Sequence, residues 1–329
     1  IDNKNHTLAI FLDLRKAFDL VNHKLLLNKL QHYNFNPNII NLLSSYLSDR
    51  FISVKYEHYK SKLRQVVLGV PQGSVLGPLL FLIFINDITF LKLNSNIHLF
   101  ADDSTLSFKT LNNDLVDLVI NDLTLVGEWI HKNCLAINWS KTNAMILSKS
   151  TVIDNINFNN FAIPIVTCVK LLGIFIDNKL VFTEHIHSLC KKINSKIYLL
   201  NRNKFFFPVK FRFTVFKLFI LPYIDYCSTI FICSNLKTLV KSYNNALFRY
   251  LNINLFSISV DKQISLLLND NLYTLHHRLF IHYCKFIIGL FKNMRATLLL
   301  DQFIEKSASI SYVRNHFIMP SFNTNIKKF

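Results

Sequence analysis

The sequence predicts an α+β fold, an antiparallel sheet backed by helices and followed by a helical region, on three observations. Short apolar runs end at carboxylates, LAIFLDL at Asp13 and NIHLFADD at Asp102 and Asp103. The stretches between them carry apolar residues at three- and four-residue spacing, the helical period. Past about Glu184 the strand-like runs stop, glycine almost disappears, and Phe, Tyr, Lys and Asn dominate. Strand, helices, hairpin, helix and strand, then helices alone, is an order that a sheet covered by helices accommodates.

Each element has its own warrant. Residues 8–14 are a short apolar run closed by Asp13, which reads as a buried strand. In KAFDLVNHKLLLNKLQHY, Phe18, Val21, Leu25 and Leu26 fall on one helical face, and Asn36-Pro37 then breaks the pattern. A second helix is predicted from Pro37 to about Tyr46, before a polar, basic section that reads as a hairpin ending near Arg64. GVPQGSVLGP holds three glycines and two prolines in a chain with only six and seven, so it marks a shaped loop. NIHLFADDSTLSF alternates apolar and polar residues around Asp102-Asp103, as in a hairpin with carboxylates at its tip. Leu115, Leu118, Leu123, Val126 and Ile130 form a helical stripe, LAINWSKTNAMILS returns to strand, and VKLLGIFIDNKLVF reads as a strand pair.

Composition narrows the function class. A 329-residue chain with 51% hydrophobic content can bury a substantial core, which disfavours disorder. A net charge of +17 and a pI near 9.6 point to a polyanionic partner, nucleic acid first, with membrane surfaces and acidic proteins as the alternatives. The longest apolar run, Val75 to Ile85, is too short to cross a bilayer and contains Gly77 and Pro78, so no membrane partner is expected. The six cysteines form no C-x-x-C pair and read as reduced core residues. His131, His185, His187 and the His276-His277 pair lack partners at ligand spacing, so no structural zinc is expected.

Phosphoryl transfer by two metals needs several carboxylates to converge, and magnesium takes few protein oxygens beside waters and substrate phosphates. Asp13 at a strand end and Asp102-Asp103 at a hairpin tip meet that need. Taken singly they have plainer explanations, since Asp-Asp favours turns and a lone strand-end Asp often caps a helix. The order of FLDLRKAFD, GVPQGSVLGPLLFLIFINDI, FADD, SKTNAMIL and VKLLGIFID decides between these. Together they resemble the reverse transcriptases of non-LTR (LINE-type) retrotransposons, from about Thr7 to Glu184 and more weakly through LPYIDYCSTIF and NNALFRYL to about Leu251.

The resemblance implies a right-hand polymerase: a palm at residues 1–184, a helical thumb at 185–252 and a helical C-terminal region at 253–329 with no assigned function. It implies a fingers region ahead of the first catalytic strand, which this chain, opening at Ile1, is expected largely to lack. Asp13 and Asp102 become the principal ligands of two Mg2+ ions, with Mn2+ able to substitute, and Asp103 supports them. Lys16 and Ala17 would approach the incoming triphosphate through their backbone. Phe18 would lie beneath the sugar and exclude a 2′-hydroxyl, a role compatible with its place in the helix stripe. Gln72 and Gly73 would contact nucleotide and template, and Leu172 and Gly173 the primer end. Lys141 matches a lysine that protonates the pyrophosphate leaving group, with a surface lysine beside a turn as the alternative. Asp19 reads as a structural carboxylate near a helix start. In the thumb, Lys191, Lys192, Lys196, Arg202, Lys204, Lys210 and Arg212 are interleaved with Tyr198 and Phe205 to Phe207, as suits a duplex backbone, although each lysine taken singly reads better as part of a solvated basic face.

The implied reaction is addition of dNTPs to a primer DNA 3′-hydroxyl on template RNA. The chain is expected to be intracellular, and nuclear at its site of action. The rival readings are an inactive relic or co-opted nucleic-acid-binding protein, which intact Asp13, Gln72, Asp102, Asp103 and Lys141 argue against and an absent fingers region leaves open, and an RNA-templated RNA polymerase, which Phe18 and the FADD and PQG motifs disfavour.

Overall fold

The computed structural model describes residues 6–110, 115–147, 155–255, 258–269 and 272–293. Contacts divide the chain into two units, Ile1–Val169 and Lys170–Phe329.

The first unit is built on a four-stranded antiparallel sheet. Its central strand β1 (His6–Leu12) is followed by helices α1 (His23–His32) and α2 (Pro37–Leu47). A ribbon of four two-residue strands comes next: β2 (Phe51–Ile52), β3 (Lys55–Tyr56), β4 (Tyr59–Lys60) and β5 (Arg64–Gln65). Helix α3 (Leu76–Ile85), the hairpin β6 (Asn96–Phe100) and β7 (Asp103–Thr110), helix α4 (Leu115–Lys132) and strand β8 (Asn143–Leu147) complete the sheet and its cover. The strand order β6-β7-β1-β8 puts β1 between two partners, and Leu8, Ile10 and Leu12 on it are buried. They share one core with Leu106 and Phe108 of β7, Phe81 and Phe84 of α3, and Val119 and Leu123 of α4. A small hairpin, β9 (Asn155–Phe158) with β10 (Phe161–Pro164), is held by Trp139, which lies against Phe158 and Phe161.

A half-buried lysine and a buried aspartate fasten this unit. Lys29 of α1 donates to the Phe84 carbonyl and pairs with Asp87 at 2.7 Å, beneath the rings of Phe84 and Trp129; burial pushes its pKa down although Asp87 opposes the shift. Asp122, inside the apolar face of α4, accepts from the backbone N–H groups of Asn94 and Ser95 and the Asn94 amide, and so fixes the turn that launches β6.

The predicted helix over Lys16–Tyr33 is not continuous. Ala17–Asp19 form a 3-10 turn, and α1 begins only after Asn22, whose side chain accepts from the Leu25 N–H. The break has a tertiary cause: the Phe18 and Val21 carbonyls, which a continuous helix would use, accept from the N–H groups of Val70 and Gly69. The loop residues thereby take over the ladder.

The second unit starts within β11 (Cys168–Leu171), which pairs with β12 (Ile174–Asp177), and Ile174 belongs to the helical core that follows. Helices α5 (Thr183–Arg202), α6 (Val209–Phe219), α7 (Leu221–Asp225), α8 (Ser228–Phe231) and α9 (Lys237–Ala246) enclose Ile193, Phe216, Ile224, Phe231 and Tyr243. Helices α10 (Val260–Asn269) and α11 (Leu275–Asn293) are the described part of the predicted helical C-terminal region; residues 294–329 lie outside the described residues. Arg278 of α11 makes a bidentate bond to Asp225, joined by His282. Of the six cysteines only Cys190 is buried; Cys134 and Cys233 are exposed, against the expectation of core thiols. Among the described residues no helix is long and apolar enough to cross a membrane.

His185 is 2% exposed on the inner face of α5, packs against the Phe231 ring, and has no hydrogen-bond partner on either nitrogen. Burial, reinforced by Lys192, lowers its pKa. The unfolded imidazole therefore takes a proton near pH 6.5 while the folded one resists, and stability falls as pH drops through that value. His185→Leu is expected to raise the midpoint of thermal unfolding at pH 7.5, by removing a buried unsatisfied ring, and to flatten the decline towards pH 5.5. Equal declines in both proteins would refute this role.

Candidate active site

Asp13 stands one residue past β1, where the chain crosses to the segment before β8. Leu14 pairs with Ile137, Arg15 donates to the Ala136 carbonyl, and the Asn138 N–H donates to the Asp13 carbonyl at 2.7 Å. The Asn138 side chain donates from Nδ2 to Asp13 Oδ2 at 2.9 Å and is itself held by the Ser140 hydroxyl at 2.8 Å. Lys141 Nζ lies 3.7 Å from the same oxygen, with the lysine side chain 69% and the aspartate 33% exposed, so the pair is screened and weak. Nothing among the described residues donates to Asp13 Oδ1.

The other two carboxylates arrive through register. In the β6–β7 hairpin Phe100 pairs with Asp103, leaving Ala101 and Asp102 as a two-residue turn with Ala101 in the left-handed region. Leu12 pairs with Ser104 across β1 and β7, so Asp13 faces Asp103 at the next step. Burial, then the Asp102 and Asp13 charges, push the Asp103 pKa up. Among the described residues no side chain or backbone group donates to the carboxylate of Asp102 or of Asp103. Three carboxylates thus share one end of the sheet with a single exposed lysine beside them.

No three His, Cys, Asp or Glu side chains among the described residues converge closely enough to hold a metal unaided. That is compatible with magnesium, which keeps waters and takes one or two carboxylates together with substrate phosphates. The donor set fits such a cation: hard oxygens, mutual repulsion that a cation would relieve, and an unengaged oxygen on Asp13.

A second cluster lies just beyond Asp13. Lys16 is exposed at φ 44° and starts the 3-10 turn, Ala17 is buried beneath it, and Phe18 stacks on Phe81 with ring centroids 4.4 Å apart. The glycine-rich loop is strapped to this turn. Val70 donates to the Phe18 carbonyl, Gly69 to that of Val21, and Gln72 Nε2 to Asp19 Oδ1 at 2.8 Å. His23 Nε2 lies 2.7 Å from the Gly69 carbonyl oxygen. Gly73 follows at φ 79° with open space where a side chain would stand. Lys16, Ala17, Phe18, Gln72 and Gly73 are therefore brought together. Asp19 does more than favour a helix start, because its carboxylate anchors Gln72.

Leu172 and Gly173 belong to the second unit. They form the β11–β12 turn, both at positive φ, and the Tyr226 hydroxyl donates to the Leu172 carbonyl at 2.7 Å. Three residues that matter to this geometry were not singled out from the sequence: Asn138, Asp19 as an anchor, and Gly69. The available signals were the polar N-W-S-K-T-N run and the glycine that opens the enriched loop.

The model of the family described as reverse transcriptase (RNA-dependent DNA polymerase) matches residues 1–176. The chain belongs to this family. Its relatives support the non-LTR, LINE-type resemblance. It is 29% identical over 230 residues to the probable RNA-directed DNA polymerase from transposon X-element of Drosophila melanogaster, covering 67% of this chain and 25% of that protein. It is 29% identical over 206 residues to the RNA-directed DNA polymerase from mobile element jockey of the same species, covering 60% of this chain and 22% of that protein. This reverse transcriptase chain thus spans about a quarter of the length of these curated relatives. Among solved structures, telomerase from Candida albicans in complex with a telomeric RNA fragment covers 85% of this chain and 44% of its own, at 16% identity and a TM-score of 0.43; that likeness adds nothing to the assignment. Reverse transcriptases are enzymes that generally use divalent metal ions, and their partners are nucleic acids.

Proposed function

We propose that this chain carries the nucleotidyl-transfer site of a non-LTR retrotransposon's RNA-directed DNA polymerase, with residues 1–184 as palm and 185–252 as thumb. The observation that carries the reading is the meeting of Asp13 with Asp102-Asp103 at one end of the sheet, held by the β1–β7 register. Asp13 and Asp102, supported by Asp103, would hold two Mg2+ ions, which supply charge neutralisation for the attacking 3′-hydroxyl and the leaving pyrophosphate. Asn138 orients Asp13 through its Oδ2, which leaves Oδ1 without a donor among the described residues. The backbone at Lys16 and Ala17 receives the triphosphate, Gln72 and Gly73 meet nucleotide and template, and Leu172 and Gly173 meet the primer end. Lys141 is an exposed cation that donates a proton to the departing pyrophosphate. Template RNA, primer DNA and dNTPs are the partners, and the nucleus is the place of action.

The test is extension of a DNA primer on an RNA template by the element protein that contains this chain, with dNTPs and Mg2+ or Mn2+. Incorporation with pyrophosphate release is expected. No incorporation with either metal would overturn the reading.

Sugar selection gives a finer test. The ring of Phe18 is braced by Phe81, so it can present a fixed edge below the sugar. Phe18→Val is expected to raise ribonucleotide relative to deoxyribonucleotide incorporation by about tenfold, the order of discrimination that a small change in pocket volume supplies. An unchanged ratio in single-nucleotide incorporation would leave Phe18 as a packing residue only.

A further inference from the structure

We propose that the ribbon Phe51–Gln65 is an arm that binds single-stranded polynucleotide, a site separate from the carboxylates. The ribbon stands away from the core: both residues of each of its four strands are exposed. At its tip Lys55 pairs with Lys60 and Tyr56 with Tyr59 across a two-residue turn whose first residue, Glu57, has φ 51°. Directly opposed residues share a face and successive ones alternate, so one face of the tip carries two lysines and the other two tyrosines.

That arrangement is unfavourable for the ribbon alone. Like charges directly opposite repel. Residues 50–65 hold five cations, Arg50, Lys55, Lys60, Lys62 and Arg64, against the single carboxylate of Glu57. Among the described residues none of Lys55, Lys60, Lys62 and Arg64 has an ion-pair partner. Tyr56 is 72% and Tyr59 78% exposed, although an aromatic ring gains most when covered. A phosphate backbone neutralises the lysine face, and unpaired bases can stack on the tyrosines. Stacking needs bases that are not already covered by neighbours in a duplex, which selects a single strand.

The ribbon is shaped for such a role. The Phe51↔Gln65 and Lys55↔Lys60 registers differ by one residue, so the returning strand carries a bulge at Ser61–Leu63. There the Ser61 hydroxyl accepts the Val54 N–H at 2.9 Å. A bulge increases local twist and turns the tip relative to its base.

The proposal rests on the nucleic-acid reading of the chain, and not on catalysis. The test is fluorescence anisotropy of a labelled single-stranded RNA and of a blunt duplex with the chain, titrated across salt. Tyr56→Ala/Tyr59→Ala is expected to weaken single-strand binding about tenfold or more and duplex binding much less. Lys55→Gln/Lys60→Gln should reduce the salt slope for the single strand by about 1.4, the release from two phosphates. It should leave the thermal midpoint unchanged or raised, because the repulsion is relieved. Single-strand affinity and slope unchanged in both variants would overturn the arm, and an equal loss for the duplex would overturn its single-strand preference. Absence of any binding by the unaltered chain would overturn the nucleic-acid reading itself.

Discussion

Asp13→Asn and Asp102→Asn, each placed in the full element protein, are expected to lower primer extension about a thousandfold while leaving duplex affinity within about twofold. The substitutions are nearly isosteric and remove one negative charge from a set of three. Losing a ligand forfeits several kcal/mol of charge stabilisation in the transition state, and each 1.4 kcal/mol is about tenfold in rate. Duplex affinity is set by many phosphate contacts elsewhere and is largely independent of these carboxylates. Asp102 gives the cleaner experiment, because among the described residues it has no protein partner to lose. At Asp13 the Asn138 and Lys141 contacts change as well. Single-turnover extension and filter binding, run side by side, decide the matter: near-normal extension removes these residues from the site, and loss of folding assigns them a structural role.

Gly69→Ala is expected to destabilise the first unit by about 2–5 kcal/mol, combining a disfavoured left-handed residue with overpacking. Gly69 sits at φ +86°, and an added methyl would stand 2.8 Å from the Asp19 carbonyl oxygen and 2.9 Å from its Cα. Those atoms cannot yield cheaply, because Asp19 is tied to Lys16 through its backbone and to Gln72 through its side chain. For a unit of this size the thermal midpoint should fall by about 5–15 °C. The loop would also release Gln72, so nucleotide KM should rise in the fraction that remains folded. A midpoint within about 2 °C of the unaltered protein would show that the strap between loop and turn is loose.

The elements legible in the sequence were those whose cause is local. β1 and the β6–β7 hairpin announce themselves because an apolar run or an alternation ends at a carboxylate, and the α4 stripe because its period is 3.6. The break in the helix before α1 was not legible, since the groups that claim the Phe18 and Val21 carbonyls come from Val70 and Gly69, some fifty residues away. The same holds for the site. Asp13, Asp102 and Asp103 could be named only because FLDLRKAFD, PQGSVLGP and FADD occur together in order, and Asn138 could not, because its partner is 125 residues distant. The burial of Asp122 has no local signal either, because the three donors it satisfies come from Asn94 and Ser95, nearly thirty residues earlier. Lys55 and Lys60 are unremarkable in sequence and become informative only when register sets them opposite each other.

The most direct test of the three-carboxylate site is uptake of Mn2+ by the chain, followed as loss of the free-ion electron paramagnetic resonance signal in the presence of a dNTP. The arrangement at the β1 and β6–β7 ends predicts that the unaltered chain binds Mn2+ and that Asp13→Asn/Asp102→Asn weakens its tightest binding at least tenfold. Equal uptake by the two proteins would contradict the assignment of these carboxylates as the metal ligands.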